Sequence, residues 1–442
     1  LKNKKQIVKP TGKTPSANVE FVSCNPTGPL TIGHGRQAIL GDVISNILSW
    51  HNYKVTREYY YNDAGKQMQI LAESCYAKYA KKIGKKFEAP DNAYVGKYLD
   101  EIADKILKKF GKELNKKDEQ FRIFTEQQIF DNIQSTLNSL NVVFDVFSKE
   151  KSFYDNGSIN QVLEKLSKLS LTYEKDGATW FKTTKLGKKK DKVLVKSSGE
   201  PTYRLPDIAY HIDKVERGFD LIVDVFGSDH IDSYPDILLA LDALGTPTNH
   251  IKVVIHQFVT LKKDNQIVKM STRKANFVTL DELIEKLNLD VIRYFFIMRG
   301  ANTHLDFDLD LAMDESEKNP VYYLQYAHAR ISNLLKRFNK EIKGKSKTNL
   351  SLLKEDDEIA LIKKLSDFPT KMNQVYKSLE PKQLATYLED LAAHYHKFYG
   401  NHKVINQNNI DLSSARIKLC EATQIILKTG LSILGIQAPE KM

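Results

Sequence analysis

Apolar and polar positions follow two different patterns along this chain. From about residue 19 to residue 85, β-rich segments alternate with segments whose apolar residues recur at helical spacing, in the order NVEFVS, RQAILGDVISNILSW, KVTREYYY and AGKQMQILAESCYAKYAKK. The alternation resumes with the strand FDLIVDVFG, the helix SYPDILLALDALG and the strand HIKVVIHQFVTL. Strands that alternate with helices predict a parallel, doubly wound sheet. We therefore expect a first domain of the α/β class over residues 1–311.

Two other regions depart from this alternation. From about residue 86 to residue 195 the pattern is irregular and rich in lysine, and it ends in ATWFKTTKLGKKKDKVLVKSSGEPTY. That segment predicts a hairpin with LGKKKDK at its tip, which is typical of an insertion into a larger domain. After Leu311 the β pattern ends, and amphipathic helices are predicted at about 318–340, 355–378, 381–399 and 412–434. This part predicts a separate all-α helical bundle over residues 312–442.

Composition narrows the class of protein further. No apolar run approaches the roughly 18 residues that a membrane helix needs, so no membrane partner is expected. The net charge of +11 fits a polyanionic partner, although a lysine-rich surface without such a partner fits equally well. Cys24, Cys75 and Cys420 show no metal-binding spacing. They are typical of reduced thiols, and a cytoplasmic location is expected.

A glycine-flanked histidine lies where the first strand turns into the first helix. The segment GPLTIGHG places Gly28, Gly33, His34 and Gly35 at a helix N-terminus, where unpaired N–H groups form an anion site. The phosphate-loop pattern fails here because His34 stands where that pattern has lysine. The turn could bind a phosphate, or it could be a capping loop whose histidine only bonds a nearby carbonyl group.

A second candidate lies late in the α/β domain. The segment DNQIVKMSTRKANFVTLDEL groups Lys269, Arg273 and Lys274 around Met270 and Ser271. Phosphoryl and nucleotidyl transfer depend mostly on positioning and on neutralising phosphate charge. Together with the first turn, this basic loop favours a nucleoside triphosphate site, and the alternative is a solvated surface loop.

These motifs and their flanks resemble a known family. TIGH and KMSTR are similar to the HIGH and KMSKS signatures of class I aminoacyl-tRNA synthetases. Six segments in the same order resemble arginyl-tRNA synthetases: VEFVSCNPTGPLTIGHGR, TREYYYNDAGKQ, YRLPDIAYH, VKMSTRKANFVTLDEL, NPVYYLQYAHARI and ILGIQAPEKM. The resemblance runs from about residue 19 to the last residue.

The resemblance implies a fold and an activity. The fold would be a Rossmann-type catalytic domain with insertions, followed by an α-helical anticodon-binding domain. The activity would be ATP-dependent activation of L-arginine to arginyl-adenylate, followed by transfer to the terminal adenosine of an arginine tRNA. Its first step would need bound tRNA, and Mg²⁺ would arrive with ATP. The expected partners are tRNA, arginine and ATP, the enzyme is expected to be a monomer, and the chain is expected to lack the family's additional N-terminal domain.

Site residues follow from the resemblance, position by position. Glu20, Tyr203 and Asp207 would line the arginine pocket, with Ser23 and Asn25 at the α-amino and carboxylate end. Carboxylates suit a planar guanidinium with five donors. From the residues alone, however, Asp207 could instead cap a helix after its neighbouring proline.

The nucleotide site would draw on both motifs. The implied ATP-binding residues are Pro26, Gly28, Thr31, Gly33, His34, Gly35, Asp229, His230, Lys269, Met270 and Ser271. Of these, His34 and Lys269 would act in catalysis with Arg273 and Lys274. Two signature positions differ, because Thr31 replaces the first histidine and Thr272 replaces the second lysine. The DHID segment alone gives little support for a metal site, and no metal ligand is assigned.

In the helical part, Tyr322, Tyr326 and Arg330 follow one another at helical spacing. An aromatic face with an adjacent cation suits unstacked anticodon bases. The alternative is that these tyrosines pack at a seam between domains. A paralogue that binds tRNA or amino acid without charging is the rival interpretation for the whole chain.

Overall fold

The computed structural model describes residues 14–268, 279–342 and 348–442. None of the helices within those ranges is both long and apolar enough to cross a membrane. The first part contains β1 (Ser16–Glu20), α1 (Ile32–Trp50), β2 (Lys54–Tyr61), α2 (Lys66–Lys82), α3 (Lys97–Phe110), α4 (Glu119–Ser139), β3 (Val146–Lys149), α5 (Glu150–Asp155), α6 (Ser158–Lys168), β4 (Thr172–Lys175), β5 (Ala178–Phe181) and β6 (Lys192–Val195). The second part contains α7 (Arg204–Glu216), β7 (Leu221–Gly227), α8 (Tyr234–Ala243), β8 (Ile251–His256), β9 (Val259–Lys263), β10 (Gln266–Ile267), α9 (Leu280–Lys286), α10 (Leu289–Ile297), β11 (Leu305–Asp308), α11 (Leu309–Met313), α12 (Pro320–Glu341), α13 (Asp356–Ser366), α14 (Phe368–Ser378), α15 (Lys382–Asn401) and α16 (Ile410–Leu434).

The central sheet has five parallel strands in the order β3-β2-β1-β7-β8. This order reverses direction at β1, and the crevice at such a switch point is where doubly wound folds bind ligands. Helix α1 packs tightly on β1, because a Cβ added at Gly41 would lie only 2.1 Å from Phe21 Cγ. The predicted Rossmann-type α/β fold is confirmed.

One predicted strand is in fact two. The segment HIKVVIHQFVTL divides into β8, in the central sheet, and β9, which joins β10 and β11 in a separate three-stranded sheet. The break falls at Gln257, whose N–H donates to Ala301 O (2.9 Å) and whose carbonyl accepts from Arg36 Nη1 (2.8 Å). Because these partners lie far away in sequence, the strand pattern gave no sign of the break.

The lysine-rich region of residues 86–195 contributes to two sheets. Its strand β3 pairs with β2 at the edge of the central sheet. Its last part forms the antiparallel sheet β4-β5-β6, in which β5 and β6 make the predicted hairpin. The range therefore contains both an edge strand of the main domain and a small sheet of its own, and the domain boundaries remain predictions.

Helices α12 to α16 form the predicted C-terminal bundle. The single helix expected over 355–378 is two helices, since α14 carries a proline in its first turn and a proline lacks the N–H that would continue α13. Buried Arg293 of α10 joins the bundle to the α/β domain. Its guanidinium donates to Leu434 O (3.2 Å) and Leu140 O (2.8 Å) and pairs with Asp42 of α1. The bundle is thus attached to the helix that follows β1.

Candidate active site

A cavity of about 720 Å³ lies at the carboxyl edge of β1, β7 and β8, next to the first turns of α1 and α7. Many of the residues predicted for the arginine and ATP sites line it. These are Glu20, Ser23, Asn25, Thr31, Gly33, His34, Tyr203, Asp207, Asp229 and His230. Residues separated by up to two hundred positions in sequence therefore meet at one site.

A strained turn directs the chain after β1 into this cavity. Val22 has φ 68° and Ser23 has φ 37°, and the Ser23 N–H donates to Phe21 O (3.0 Å). Positive φ is unfavourable for a β-branched residue, and such strain concentrates at functional sites. The Tyr60 N–H donates to Ser23 Oγ (3.0 Å), which anchors the turn on β2. The turn thereby places Ser23 and Asn25 on the cavity wall.

His34 lies in the first turn of α1 with a fixed orientation. Its Nδ1 accepts a hydrogen bond from the Thr31 N–H (3.1 Å), and the Thr31 hydroxyl lies 3.3 Å from the same nitrogen. Burial lowers the pKa of His34 to about 4, so the imidazole is neutral at physiological pH. With Nδ1 acting as an acceptor, the proton is on Nε2. The structure therefore provides a neutral N–H donor at the start of the helix, and Thr31 acts as its cap.

Among the described residues, three that were predicted for the ATP site do not line the cavity: Pro26, Gly28 and Gly35. A Cβ at Gly35 would lie 2.7 Å from Leu280 Cδ1, which shows that this glycine permits close packing of α1 against α9. A Cβ at Gly28 would lie 3.2 Å from Tyr98 Oη, so this glycine faces Tyr98. Close packing against a neighbouring side chain therefore explains the glycine at both positions.

A buried charge network surrounds Glu20, one of the residues predicted to bind arginine. Lys214 Nζ donates to Glu20 Oε2 (2.5 Å) and Asp224 Oδ1 (2.6 Å), and His211 Nε2 lies 3.2 Å from Asp224 Oδ2. Burial opposes the lysine charge, but Asp224 and Glu20 raise the pKa of Lys214 above its usual value. Glu20, His211 and Asp224 are close enough together to hold a metal ion. The Lys214 ammonium, however, already provides the cation for these carboxylates.

Asp207 lies in the first turn of α7 and faces the cavity. Burial, together with the nearby Glu20 carboxylate, raises the pKa of its carboxyl group to about 6, against the lowering effect of His211, His230 and Lys214. Tyr203 occupies the N-cap position, so capping does not fall to Asp207. The exposed Tyr203 hydroxyl accepts a hydrogen bond from Gln67 Nε2 (2.8 Å). The two carboxylates and the tyrosine thus border one end of the cavity.

Another part of the cavity wall is formed where β7 and β8 finish. Ser228 and Asp229 follow Gly227, the last residue of β7, and the Asp229 carboxylate lies 3.7 Å from His230 Nε2. The His230 ring stacks on Phe226 with 4.9 Å between ring centroids. This pair provides one exposed carboxylate and one aromatic surface at the end where ATP was predicted.

Sequence reasoning missed several residues that line the cavity. They are Val22, Cys24, Gln37, Tyr60, Asn62, Thr202, Arg204, Tyr210, His211, Phe226, Gly227, Ser228, Ser233, His256 and Phe258. The ends of parallel strands were an available signal, because ligands bind at that edge of the sheet. That rule would have selected Gly227 and Ser228, at the end of the predicted strand FDLIVDVFG.

The basic loop that resembles KMSKS lies outside the described residues. Its members Lys269, Met270, Ser271, Arg273 and Lys274 therefore stay predictions from sequence.

The predicted RNA-binding residues lie on α12. The Arg330 guanidinium stands over the rings of Tyr326 (4.5 Å to the centroid) and Tyr399 of α15 (5.0 Å). Arg330 Nη2 also donates to the Tyr326 hydroxyl (2.5 Å). Tyr322 packs partly against the core. The arrangement is a stacked tyrosine–arginine–tyrosine cluster that remains partly exposed.

Comparison with known proteins identifies the family. Residues 1–293 match the catalytic-domain model of class I tRNA synthetases (R), and residues 324–442 match the DALR anticodon binding domain. The chain is 48% identical to the arginine–tRNA ligase of Salinibacter ruber, over 96% of this chain and 79% of that protein. It is also 48% identical to the arginine–tRNA ligase of Desulfotalea psychrophila, over 96% and 78%.

Solved structures agree with this result. A protein provisionally assigned as an arginyl-tRNA synthetase in Campylobacter jejuni has a TM-score of 0.86 at 30% identity, covering 98% of this chain and 95% of that one. The arginyl-tRNA synthetase of Thermus thermophilus shares the fold, with a TM-score of 0.75 at 21% identity, covering 99% and 85%. This chain belongs to the class I arginyl-tRNA synthetases.

Proposed function

We propose that the cavity holds L-arginine at its acidic end and ATP at its neutral end, in the geometry of an arginine–tRNA ligase. The chain catalyses formation of arginyl-tRNA as a member of this family. The observation that supports the placement is a difference in charge: Glu20 and Asp207 are neighbouring carboxylates on the cavity wall, whereas His34, in the first turn of α1, is a neutral imidazole.

At the acidic end, the guanidinium donates to the Asp207 and Glu20 carboxylates, with Tyr203 at the rim. Charge-assisted hydrogen bonds of this kind contribute about 1.5–3 kcal/mol each. Lysine brings a compact ammonium in place of the planar fork, so it leaves acceptors of the pocket unpaired. Binding alone can therefore reject lysine.

At the middle of the cavity, Ser23 and Asn25 position the α-amino and carboxylate groups of arginine. A carboxylate oxygen then attacks the α-phosphorus of ATP, the bond to the β-phosphate breaks, and pyrophosphate leaves with arginyl-adenylate formed. In the second step a hydroxyl of the terminal adenosine of tRNA attacks the arginyl carbonyl carbon, and AMP leaves.

His34 donates from Nε2 to a phosphate oxygen as negative charge moves towards pyrophosphate. A fixed neutral donor needs no reorganisation during the step, and for this reason it acts mainly on the transition state. The amide groups at the start of α1 and Gly33 complete the phosphate side.

Mg²⁺ fits this site as a companion of ATP. Asp224 and Glu20 are already paired with Lys214, so no protein carboxylate is assigned to the ion. It would be held mainly by phosphate oxygens and water, where it would neutralise phosphate charge.

The helical bundle binds the anticodon region of tRNA in this proposal. Arg330 between Tyr326 and Tyr399 presents a cationic and aromatic surface on which an unpaired base can stack, with Tyr322 one turn earlier. The enzyme acts in the cytoplasm as a monomer and uses the net charge of +11 to attract RNA.

ATP–pyrophosphate exchange in the presence of an arginine tRNA tests the proposal. We expect exchange with arginine and more than 100-fold lower kcat/KM with lysine. Exchange that does not depend on the amino acid, or equal rates with both amino acids, would contradict the placement of arginine at the acidic end.

A further inference from the structure

His256 ends β8 on the cavity wall and is 7% exposed. Its Nδ1 lies 3.3 Å from the Gln257 carbonyl oxygen, which can only accept a hydrogen bond. Its Nε2 is buried and has no hydrogen-bond partner among the described residues. A buried polar atom without a partner is unusual in a native protein and calls for a ligand or another explanation.

The protonation of this ring follows from its surroundings. The Gln257 carbonyl is held in place by Arg36 Nη1 at 2.8 Å, so it fixes the proton of His256 on Nδ1. Burial lowers the pKa of His256 to about 4, which leaves the ring neutral. Its Nε2 is therefore a hydrogen-bond acceptor, whereas Nε2 of His34 is a donor.

The neighbourhood of Nε2 indicates which donor fits. In the sheet, His256 pairs in register with Gly227 of β7. A Cβ at Gly227 would lie 2.5 Å from Asp229 Oδ1 and 3.8 Å from His256 Nε2, so the glycine keeps open the space that these two acceptors border. Ser228 Oγ, on the same turn, is also buried, and no residue in the described part of the chain hydrogen-bonds it.

The two adjacent acceptors, His256 Nε2 and the Asp229 carboxylate, suit a ligand group that carries two adjacent hydrogen-bond donors. Phosphate oxygens are acceptors and cannot use them. The 6-amino group of adenine has donors but is flanked by ring nitrogens that are themselves acceptors. The two vicinal hydroxyl groups of a ribose present two donors side by side, and an acidic residue beyond a strand end is a known partner for a ribose hydroxyl.

We propose that His256 is a nucleotide-binding residue whose Nε2 accepts a hydrogen bond from a ribose hydroxyl of ATP, beside the Asp229 carboxylate. This inference rests on the proposed placement of ATP at the β7–β8 end of the cavity. It adds a specificity for the sugar that the two signature motifs do not supply.

The test combines two variants with two ATP analogues in tRNA-dependent exchange. His256→Asn removes the acceptor at the Nε2 position, and His256→Gln places an amide oxygen close to it. We expect His256→Asn to raise the KM for ATP by about tenfold and His256→Gln to raise it less, with the KM for arginine unchanged. His250→Asn, just before the start of the same strand and outside the cavity, is the control and should behave as wild type.

The analogues identify the bonded group. The kcat/KM of wild-type enzyme should fall about tenfold with one of the two analogues, 2′-deoxyATP or 3′-deoxyATP, whichever lacks the bonded hydroxyl. With that analogue, His256→Asn should cause no further fall in kcat/KM. Equal use of ATP and both deoxy analogues by the wild type would overturn the proposal without any variant. If the loss caused by His256→Asn adds to the loss caused by each of the two analogues, His256 acts structurally and the proposal is overturned.

The same assay separates this inference from the proposed function. If wild-type enzyme shows no preference for arginine over lysine, the proposed pocket is wrong. If that preference is intact while the ribose hydroxyls prove irrelevant, only the His256 inference fails.

Discussion

The two ends of the cavity differ in the charge of the side chains that line them. At the proposed arginine end, Glu20 and Asp207 line the cavity and the Lys214 ammonium lies buried against Glu20. At the nucleotide end, His34 and His256 are buried imidazoles whose pKa values burial lowers to about 4. The first presents two carboxylates, and the second presents two neutral imidazoles beside the exposed Asp229 carboxylate.

The difference follows from the ligands. Arginine carries a permanent cation, so its pocket has to keep negative charge in a partly buried place. That charge is stabilised by Lys214, which joins Glu20 to Asp224. ATP carries its own anionic phosphates and a neutral nucleoside, for which fixed N–H groups and lone pairs are sufficient. The comparison predicts that changes at the two ends alter different measurements.

The largest expected effect is on stability at the arginine end. Lys214→Met leaves two buried carboxylates without their cation, and removing one partner of a buried ion pair costs about 3–5 kcal/mol. The measurement is the midpoint of urea unfolding. Lys262→Met is the matched control, because the Lys262–Asp306 pair is partly exposed and contributes at most about 1 kcal/mol. Equal midpoints for the two variants would show that the buried network is not stabilising.

The next effect is on the rate at the nucleotide end. His34→Ala should lower kcat for adenylate formation by about 100-fold, because a fixed donor acts mainly in the transition state, while the KM for arginine stays unchanged. His34→Gln, which can place an N–H near the Nε2 position, should recover part of the rate. Single-turnover formation of arginyl-adenylate measures the rate for both variants. If His34→Ala forms the adenylate at the wild-type rate, the histidine serves only to cap the helix.

The smallest effect is a pH dependence confined to the arginine end. The pKa of Asp207 is about 6 in the empty pocket, and a bound guanidinium favours the ionised form. Arginine affinity should therefore be constant above pH 6 and weaken by about tenfold per unit as the pH falls below it. Equilibrium dialysis of arginine against pH measures this dependence. The loss of arginine affinity below pH 6 should disappear in Asp207→Asn. If it persists in that variant, it belongs to another titrating group.

The parts of the fold that were predictable from sequence depend on local patterns. The strand–helix alternation around β1, α1 and β2 gave the parallel sheet, and helical spacing after Leu311 gave the bundle. The division at Gln257 was not predictable, since it depends on Arg36, which lies 221 residues away. The break between α13 and α14 had a local signal, a proline, that the helical pattern concealed.

The same distinction holds for the site. His34 and Asp207 were found because they lie in segments that resemble the family. Lys214 and His256 were missed because their roles depend on contacts. Lys214 donates to Glu20 and Asp224, and His256 Nε2 has no hydrogen-bond partner within residues 14–268, 279–342 and 348–442. A lysine inside a helix and a histidine at the end of a strand carry no such information in sequence alone.

The most direct test of the central claim compares arginine with citrulline, its neutral isostere, in wild type and in Asp207→Asn. If Asp207 recognises the guanidinium charge, the substitution should lower kcat/KM for arginine by about 100-fold, leave the low value for citrulline nearly unchanged, and leave the KM for ATP as it was. Preference for arginine should therefore collapse in the variant. An equal loss with both amino acids, or a loss that appears in the KM for ATP, would contradict the assignment of the acidic end to the guanidinium.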